Sequence, residues 1–187
     1  MGAPGGGGLE ARVTERVTVL LSADEIRARI LELGEQIASD HAGKAIHLLG
    51  VLKGSFIFMA DLARAIPAPV SCDFLRVSSY RDGTVSGGDL RFDMDVTESI
   101  AGRSVVLVED IIDTGTTVDT LLRLLRARGP ERLSVCTLLH KPERSKVPVP
   151  IDYLGFTIPD RFVVGYGLDY AGRFRNLPYV GVVEGIE

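Results

Sequence analysis

Apolar residues recur every three to four positions in three parts of the chain, and this spacing predicts three amphipathic helices. The first begins after Ser22, because Ser22-Ala-Asp-Glu25 has the spacing of a capping box, and it ends at Gly43. The second follows residues 53–55 and stops before Pro67, and the third covers residues 117–128 ahead of Gly129-Pro130. The apolar stripes are Ile26, Ile30, Leu33 and Ile37 on the first helix, and Val118, Leu121, Leu122 and Leu125 on the third.

Short apolar runs between and after these helices predict strands. They cover residues 45–51, 70–80, 104–109, 133–140, 153–156, 162–166 and 179–184. Strands that alternate with helices in the middle of the chain indicate an α/β class, with a central parallel sheet flanked by helices. Ligands of such sheets bind at the carboxyl ends of the strands. We therefore expect functional groups just after residues 51, 80, 109 and 140.

The chain of 187 residues has the length of about one domain. Residues 1–10 include the run MGAPGGGG and are expected to form a flexible tail, because glycine loses the most backbone freedom on ordering. Residues 11–187 are expected to form a single domain. Within it, the polar, glycine-rich stretch 81–88 is expected to be a long mobile loop.

Composition narrows the classes of partner. Hydrophobic residues make up 45% of the chain, which argues against disorder, and the net charge of −4 disfavours nucleic-acid binding. No apolar stretch reaches the length of a membrane span and no signal peptide opens the chain, so no membrane partner is expected. Cys72 and Cys136 lie in apolar runs and are predicted to be buried, reduced thiols. A cytoplasmic protein without a zinc site or disulfides is therefore expected.

The segment VVLVEDIIDTGTT, residues 105–117, carries the strongest chemical signal. Glu109 and Asp110 stand where an apolar strand ends, Asp113 opens a turn, and Thr114-Gly115-Thr116-Thr117 leads into a helix. Backbone amides around the glycine, the threonine hydroxyls and the helix N-terminus suit a phosphate, whereas the acidic pair suits vicinal hydroxyls and a divalent cation. Any one of these residues alone is ordinary capping chemistry. The ordered run as a whole predicts a site for a phosphorylated ribose.

This segment resembles the phosphoribosyl-pyrophosphate signature of the type I phosphoribosyltransferases, and its Glu-Asp-Ile-Ile-Asp form is similar to that of the hypoxanthine-guanine phosphoribosyltransferases. The likeness extends from about residue 13 to residue 184. The further matching motifs are LKGS (52–55), SSY (78–80), LLHKPER (138–144), and IPDRFVVGYGLDY with FRNLPYVG within 158–181. All five motifs in order favour the purine-specific branch.

The resemblance implies a type I phosphoribosyltransferase fold, in which the terminal segments build a small hood beside the sheet. It implies transfer of the phosphoribosyl group of phosphoribosyl pyrophosphate to N9 of hypoxanthine or guanine, giving IMP or GMP and pyrophosphate. It also implies Mg²⁺ as cofactor and a homodimer or homotetramer as the assembly. The Leu52–Lys53 peptide is cis in some relatives, and Arg161 stands where many relatives have lysine.

The resemblance further implies a role for each matching residue. Asp113 is the candidate general base near N7 of the purine. The expected binding residues are Lys53, Gly54 and Arg175 for pyrophosphate, Ser79 and Tyr80 for the lid over the sugar, Thr114, Gly115, Thr116 and Thr117 for the 5′-phosphate, Glu109 and Asp110 for the ribose hydroxyls, and Lys141, Phe162 and Val163 for the base. Glu109, Asp110 and Asp169 are the expected metal residues.

Other interpretations remain open at this point. Lys141 could be a solvated loop charge, and Phe162 could be only a core residue. A non-enzymatic regulator on the same fold would tend to lack Asp113 or to add a basic face. A phosphoacceptor signalling domain would place an acidic pair near its N-terminus and a lone aspartate after the third strand. The preference among hypoxanthine, guanine and xanthine is not fixed by the sequence.

Overall fold

The computed structural model describes residues 16–79 and 90–185, which form nine strands and three α-helices. The strands are β1 (Val17–Leu21), β2 (Ile46–Val51), β3 (Val70–Ser79), β4 (Leu90–Met94), β5 (Ser104–Ile112), β6 (Arg132–His140), β7 (Tyr153–Thr157), β8 (Val163–Val164) and β9 (Val180–Val183). The helices are α1 (Ala23–Asp40), α2 (Phe56–Ala65) and α3 (Thr116–Arg126). The predictions for residues 1–10, Tyr80 and the loop 81–88 lie outside the described residues.

The main sheet has six strands in the order β4-β3-β2-β5-β6-β7. All neighbours pair in parallel except β4, which is antiparallel to β3. Alternate residues of a strand face opposite sides, so Leu48 packs into one apolar cluster with α1 and α2, and Leu49 into a second cluster with α3. This layered arrangement confirms the predicted α/β class.

The helices begin where local sequence signals predict them. Ser22 caps α1 through a complete capping box, in which the Glu25 amide donates to Ser22 Oγ at 3.3 Å and the Ser22 amide donates to Glu25 Oε2 at 2.8 Å. The four predicted core positions of α1 and the four of α3 are all buried. Burial of these stripes against the sheet is what stabilises both helices.

A second, antiparallel sheet of three strands has the order β1-β9-β8 and joins the two ends of the described chain. It is the small hood that the resemblance implied. β1 was not predicted, and the strand expected over residues 162–166 is only two residues long. Pairing between positions some 160 residues apart, such as Val17 with Val183, leaves no local signal in the sequence.

The structure also contains one more strand without a sequence prediction and overturns one expectation about a cysteine. β4 was not predicted, because its sequence LRFDM mixes charged and apolar residues, as an edge strand tolerates. Cys136 is buried as predicted, but the prediction for Cys72 was wrong, since this thiol is exposed. β4 pairs with β3 only from Arg76 onward, so β3 is the open edge of the sheet at Cys72. In the described ranges, no helix is long and apolar enough to cross a membrane.

Two buried histidines are expected to make the stability of the fold depend on pH. His41 and His47 are each 3% exposed, and their Nδ1 atoms lie 2.7 Å from Ser104 Oγ and 2.8 Å from Ser71 Oγ. Both Nε2 atoms are buried without a hydrogen-bond partner. Burial, aided by nearby Arg132 and Arg103 respectively, lowers the pKa of each imidazole. The folded chain therefore keeps both rings neutral at a pH where the unfolded chain binds protons.

We expect the free energy of unfolding to fall as the pH drops below about 6.5, the ordinary histidine pKa. The contribution is fully present above that value and is lost toward the lowered folded-state pKa. In a His41→Gln variant, the free energy of unfolding should change less with pH than in the parent chain, by up to about 1.4 kcal/mol per pH unit. Urea unfolding of both proteins between pH 7.5 and 5.5 measures the difference in slope. Equal slopes for the variant and the parent chain would contradict the assignment.

Candidate active site

The carboxyl ends of the central strands bring the predicted acidic pair into the sheet itself. β5 continues to Ile112, so Glu109 and Asp110 lie within the strand, and the expectation that the strand ends at residue 109 was three residues short. Glu109 pairs with Thr137 of β6 and Ile111 with Leu139, which extends the ladder past the acids. Glu109 is only 6% exposed. The extra pairing fixes both carboxylates on a rigid element.

Burial controls the electrostatics of this pair. It raises the pKa of Glu109 well above its usual range, and the neighbouring charge of Asp110 adds to the effect. Burial also raises the pKa of Asp110 to about 6, although the Ile111 amide donates to its Oδ1 at 2.9 Å and the Arg175 guanidinium opposes the shift. Hydroxyl donors or a cation that arrive here would relieve the repulsion between the two carboxylates. The pair is thus suited to hold a diol or a metal ion.

Residues 113–117 form a backbone turn at the N-terminus of α3. Gly115 has φ +80°, a conformation that favours glycine, and a Cβ on it would lie 2.3 Å from the Val147 carbonyl oxygen. The Lys146 and Val147 amides donate to the Thr114 carbonyl at 3.0 and 3.1 Å, and so hold the turn from behind. The turn borders a cavity of about 250 Å³, which Glu109 and Asp113 also line. Amides, hydroxyls and a helix N-terminus around such a cavity match a phosphate group.

The turn between β2 and α2 packs directly on this acidic pair. The Leu52–Lys53 peptide is cis, as the resemblance allowed, and the Lys53 side chain is exposed. A Cβ on Gly54 would lie 1.5 Å from Asp110 Oδ2, so any side chain here would displace the Asp110 carboxylate. The buried Ser55 hydroxyl donates to the Val51 carbonyl at 2.6 Å and fixes the end of the turn. The predicted pyrophosphate residues therefore adjoin the predicted ribose carboxylates.

A third segment reaches the same place from the C-terminal part of the chain. A Cβ on Gly167 would lie 2.1 Å from the Gly54 carbonyl oxygen, which shows how closely the two backbones approach. Arg175 donates to the Gly167 carbonyl at 2.5 Å and forms an ion pair with Asp169 at 2.5 Å. Among the described residues, no three His, Cys, Asp or Glu side chains are grouped so that they could hold a metal ion. Asp169 is paired with Arg175, and both charges act on Asp110, whose pKa Arg175 lowers and Asp169 raises.

The residues predicted to contact the base lie at the edge of the site and are not ordinary surface or core residues. Lys141 is 6% exposed, with Nζ 3.6 Å from Asp160 Oδ1, so the alternative of a solvated loop charge was wrong. Phe162 is 38% exposed and meets the Tyr170 ring edge-on, with the centroids 5.5 Å apart, so the core alternative was wrong as well. A flat, partly open ring of this kind suits stacking on a base.

The backbone of Val163 is directed out of the small sheet. The Val183 amide donates to the Phe162 carbonyl at 3.2 Å, which makes Val163 and Val182 a non-hydrogen-bonded pair of the antiparallel ladder. The amide and carbonyl of Val163 therefore point away from β9, at the edge formed by β8. Within the small sheet, neither group therefore has a strand partner.

Asp113 has a neighbour that sequence reasoning missed. Arg144 Nε lies 2.8 Å from Asp113 Oδ1, yet the N–H is not aligned with that oxygen, which is buried without a hydrogen bond. Nothing in the spacing of Asp113 and Arg144 indicated this contact, because it depends on how the segment after β6 folds back. Of the two predicted lid residues, Ser79 ends β3, but its side chain and all of Tyr80 lie outside the described residues.

The chain is similar in sequence and in structure to known phosphoribosyltransferases. Residues 18–171 match the phosphoribosyl transferase domain family. The chain is 48% identical to a hypoxanthine phosphoribosyltransferase of Salmonella typhimurium, over 89% of this chain and 95% of that protein. It is 49% identical to a hypoxanthine-guanine phosphoribosyltransferase of Mycobacterium bovis, over 89% and 86%. The crystal structure of a Bacillus anthracis hypoxanthine-guanine phosphoribosyltransferase superimposes with a TM-score of 0.85 at 42% identity, covering 90% of this chain and 98% of that one.

Proposed function

The chain belongs to the phosphoribosyl transferase family, and on that premise we propose that it is a purine salvage enzyme. It transfers the phosphoribosyl group of phosphoribosyl pyrophosphate to N9 of hypoxanthine or guanine, and releases IMP or GMP together with pyrophosphate. The observation that carries the proposal is the continuity of the site. Gly54 packs on Asp110, and the same β5 strand leads into the phosphate-binding turn 113–117. No feature of the described residues favours a non-enzymatic regulator.

The sugar donor is held at both ends by this surface. The amides and hydroxyls of Thr114, Gly115, Thr116 and Thr117 bind its 5′-phosphate at the positive end of α3. Glu109 and Asp110 accept hydrogen bonds from the ribose hydroxyls, which partly offset the burial that raises the pKa of both carboxyl groups. Fixing the sugar in this way orients C1 toward the base.

The departing pyrophosphate lies over the cis turn. Lys53 is exposed beside it, the Gly54 amide donates to it, and Arg175 is held in reach by its bonds to Gly167 and Asp169. Preorganised donors of this kind stabilise charge that develops as the bond to C1 breaks. The family resemblance assigns the closing of the site against water to Ser79 and Tyr80, whose side chains lie outside the described residues.

Mg²⁺ suits the oxygen donors that are present. Carboxylates of Glu109, Asp110 and Asp169 are hard ligands, and Mg²⁺ is commonly held by one or two carboxylates together with substrate phosphates. A complete protein cage is therefore not required, which is consistent with the absence of a group of three metal-ligating side chains among the described residues. When bound, the ion supplies positive charge that neutralises the leaving group.

Asp113 acts on the base as proton acceptor near N7. Proton transfer to a positioned carboxylate contributes on the order of two to four decades in rate. The base is stacked on Phe162, accepts a hydrogen bond at O6 from Lys141, and donates to the Val163 carbonyl. A buried cation that can only donate favours a 6-oxo group over a 6-amino group.

Assay of four purines with phosphoribosyl pyrophosphate and Mg²⁺ tests this proposal. We expect hypoxanthine and guanine to yield nucleotide and pyrophosphate in equal amounts, with adenine on the order of a hundredfold poorer, because its amino group leaves Lys141 unpaired. The rate with xanthine shows whether the site also accepts this third 6-oxopurine. A Lys141→Gln variant should reduce the difference in rate between the 6-oxopurines and adenine, because an amide can both donate and accept a hydrogen bond. Preference for adenine, or no nucleotide from any purine, would contradict the proposal.

The proposal also includes the location of the enzyme in the cell and its assembly into oligomers. A cytoplasmic location is consistent with two free cysteines, and a homodimer or homotetramer is consistent with apolar Leu31 and Phe56 exposed on α1 and α2. Light scattering after size-exclusion chromatography measures the assembly. A monomer at all concentrations would contradict that part of the proposal without affecting the chemistry.

A further inference from the structure

Arg144 lies between two carboxylates that belong to different parts of the site. Its Nε is 2.8 Å from Asp113 Oδ1, and its Nη1 is 3.4 Å from Asp160 Oδ1. The same Asp160 oxygen is 3.6 Å from Lys141 Nζ. We propose that Arg144 is a positioning residue, which orients the Asp113 carboxylate for proton transfer and links it through Asp160 to the lysine that binds the base. This inference rests on the proposed function, in which Asp113 receives the proton.

The contact decides which oxygen of Asp113 meets the substrate. Oδ1 is buried beside the Arg144 guanidinium, although 40% of the Asp113 side chain is exposed. The exposure therefore comes from the other atoms of the side chain, and Oδ2 is the oxygen left to face a purine. Pairing at Oδ1 thus fixes the plane of the carboxylate without occupying the reactive oxygen.

Arginine is suited to this task in a way that lysine is not. Its planar guanidinium offers donors in several directions and reaches two carboxylates at once, whereas an ammonium group is a compact point charge. The backbone of Arg144 is fixed by the 3-10 turn Pro142–Arg144, in which its amide donates to the Lys141 carbonyl at 3.2 Å. The side chain therefore spans from the base-binding segment to the phosphate-binding turn.

The exposure of these groups argues that the arrangement does not exist for stability. The side chains of Arg144, Asp160 and Asp113 are 47%, 43% and 40% exposed. Ion pairs exposed to this degree contribute little to folding, because water screens them and ordering long side chains costs entropy. Substitution of Arg144 should thus leave the fold intact and report on catalysis.

Kinetics of Arg144→Gln test the proposal. We expect kcat to fall roughly ten- to a hundredfold, as for a misplaced catalytic group, while KM for phosphoribosyl pyrophosphate changes less than about twofold. Arg144→Lys should recover part of the loss, because it keeps the charge but reaches only one carboxylate. Arg126→Gln, an exposed arginine in the last turn of α3, serves as the matched control and should retain the parent kcat.

A double-variant cycle separates positioning from a structural effect. If Arg144 acts through Asp113, adding Arg144→Gln to Asp113→Asn lowers kcat no further. Multiplicative losses, or parent-like kcat in Arg144→Gln alone, would overturn the proposal.

A measurement independent of turnover keeps this test apart from that of the proposed function. The ¹⁵Nε–H NMR signal of Arg144 should move in Asp113→Asn and in Asp160→Asn, but not in Asp119→Asn, which removes only the partner of Arg123. A signal that stays in place in Asp113→Asn and in Asp160→Asn would refute the bridge, whatever purine is used. A signal that moves as expected would support the bridge even if the purine assay identified a different base.

Discussion

Replacement of Asp113 by asparagine is expected to lower kcat by on the order of a hundredfold to ten-thousandfold, the range that general base catalysis supplies. The amide is nearly isosteric with the carboxylate but cannot accept a proton at N7 of the base. The substitution preserves the turn 113–117, whose conformation depends on Gly115 and on the amides of Lys146 and Val147. Binding of the nucleotide product should therefore remain close to that of the parent enzyme.

Steady-state assays of Asp113→Asn, with IMP binding measured by calorimetry, check this expectation. Asp119→Asn is the matched control, because Asp119 lies in the first turn of α3 and pairs only with Arg123 in the described structure. The control should turn over at the rate of the parent. Normal turnover in Asp113→Asn would show that the proton goes elsewhere, and loss of IMP binding would show that the substitution had disturbed the turn.

Replacement of Gly115 by valine should instead weaken binding of the sugar donor. Gly115 has φ +80°, which a β-branched residue adopts only with strain, and a Cβ there would lie 2.3 Å from the Val147 carbonyl oxygen. The turn must therefore shift, and its amides no longer point at the 5′-phosphate. We expect KM for phosphoribosyl pyrophosphate to rise on the order of ten- to a hundredfold, equivalent to about 1.4 to 2.7 kcal/mol of binding energy.

Gly129 provides a control with the same backbone strain but no collision. It has φ +71° after α3, and a Cβ there would meet nothing within 4 Å. Gly129→Val should lower the melting temperature, yet leave KM for the donor unchanged. Equal losses of donor affinity in both variants would show that the effect comes from general destabilisation. A parent-like KM in Gly115→Val would show that the 5′-phosphate does not bind at this turn.

Much of the fold follows from local patterns in the sequence. Ser22 and Glu25 define the start of α1 because the capping box involves only neighbouring residues. The strand-turn-helix around residues 105–117 is similarly local, and it identified Asp113 and Gly115 before any contact was known. The buried apolar runs of β2 and β6 are read in the same way, since their residues are covered on both faces of the sheet.

What the sequence could not indicate depends on contacts between distant segments. The hood needs β1 to pair with β9 across nearly the whole chain, and β4 is a strand only because β3 offers an edge. Arg144 meets Asp113 because the 3-10 turn after β6 folds toward α3, and Asp169 and Arg175 act on Asp110 because the C-terminal segment packs on the turn at Gly54. Charge and spacing along the sequence do not reveal with which carboxylate an arginine forms an ion pair.

A crystal structure of the chain with phosphoribosyl pyrophosphate and Mg²⁺ tests the central claim most directly. The account predicts the 5′-phosphate within hydrogen-bond distance of the amides of residues 114–117, and the ribose hydroxyls on Glu109 and Asp110. A donor bound elsewhere, or a phosphate-binding turn left empty at saturating donor, would contradict it.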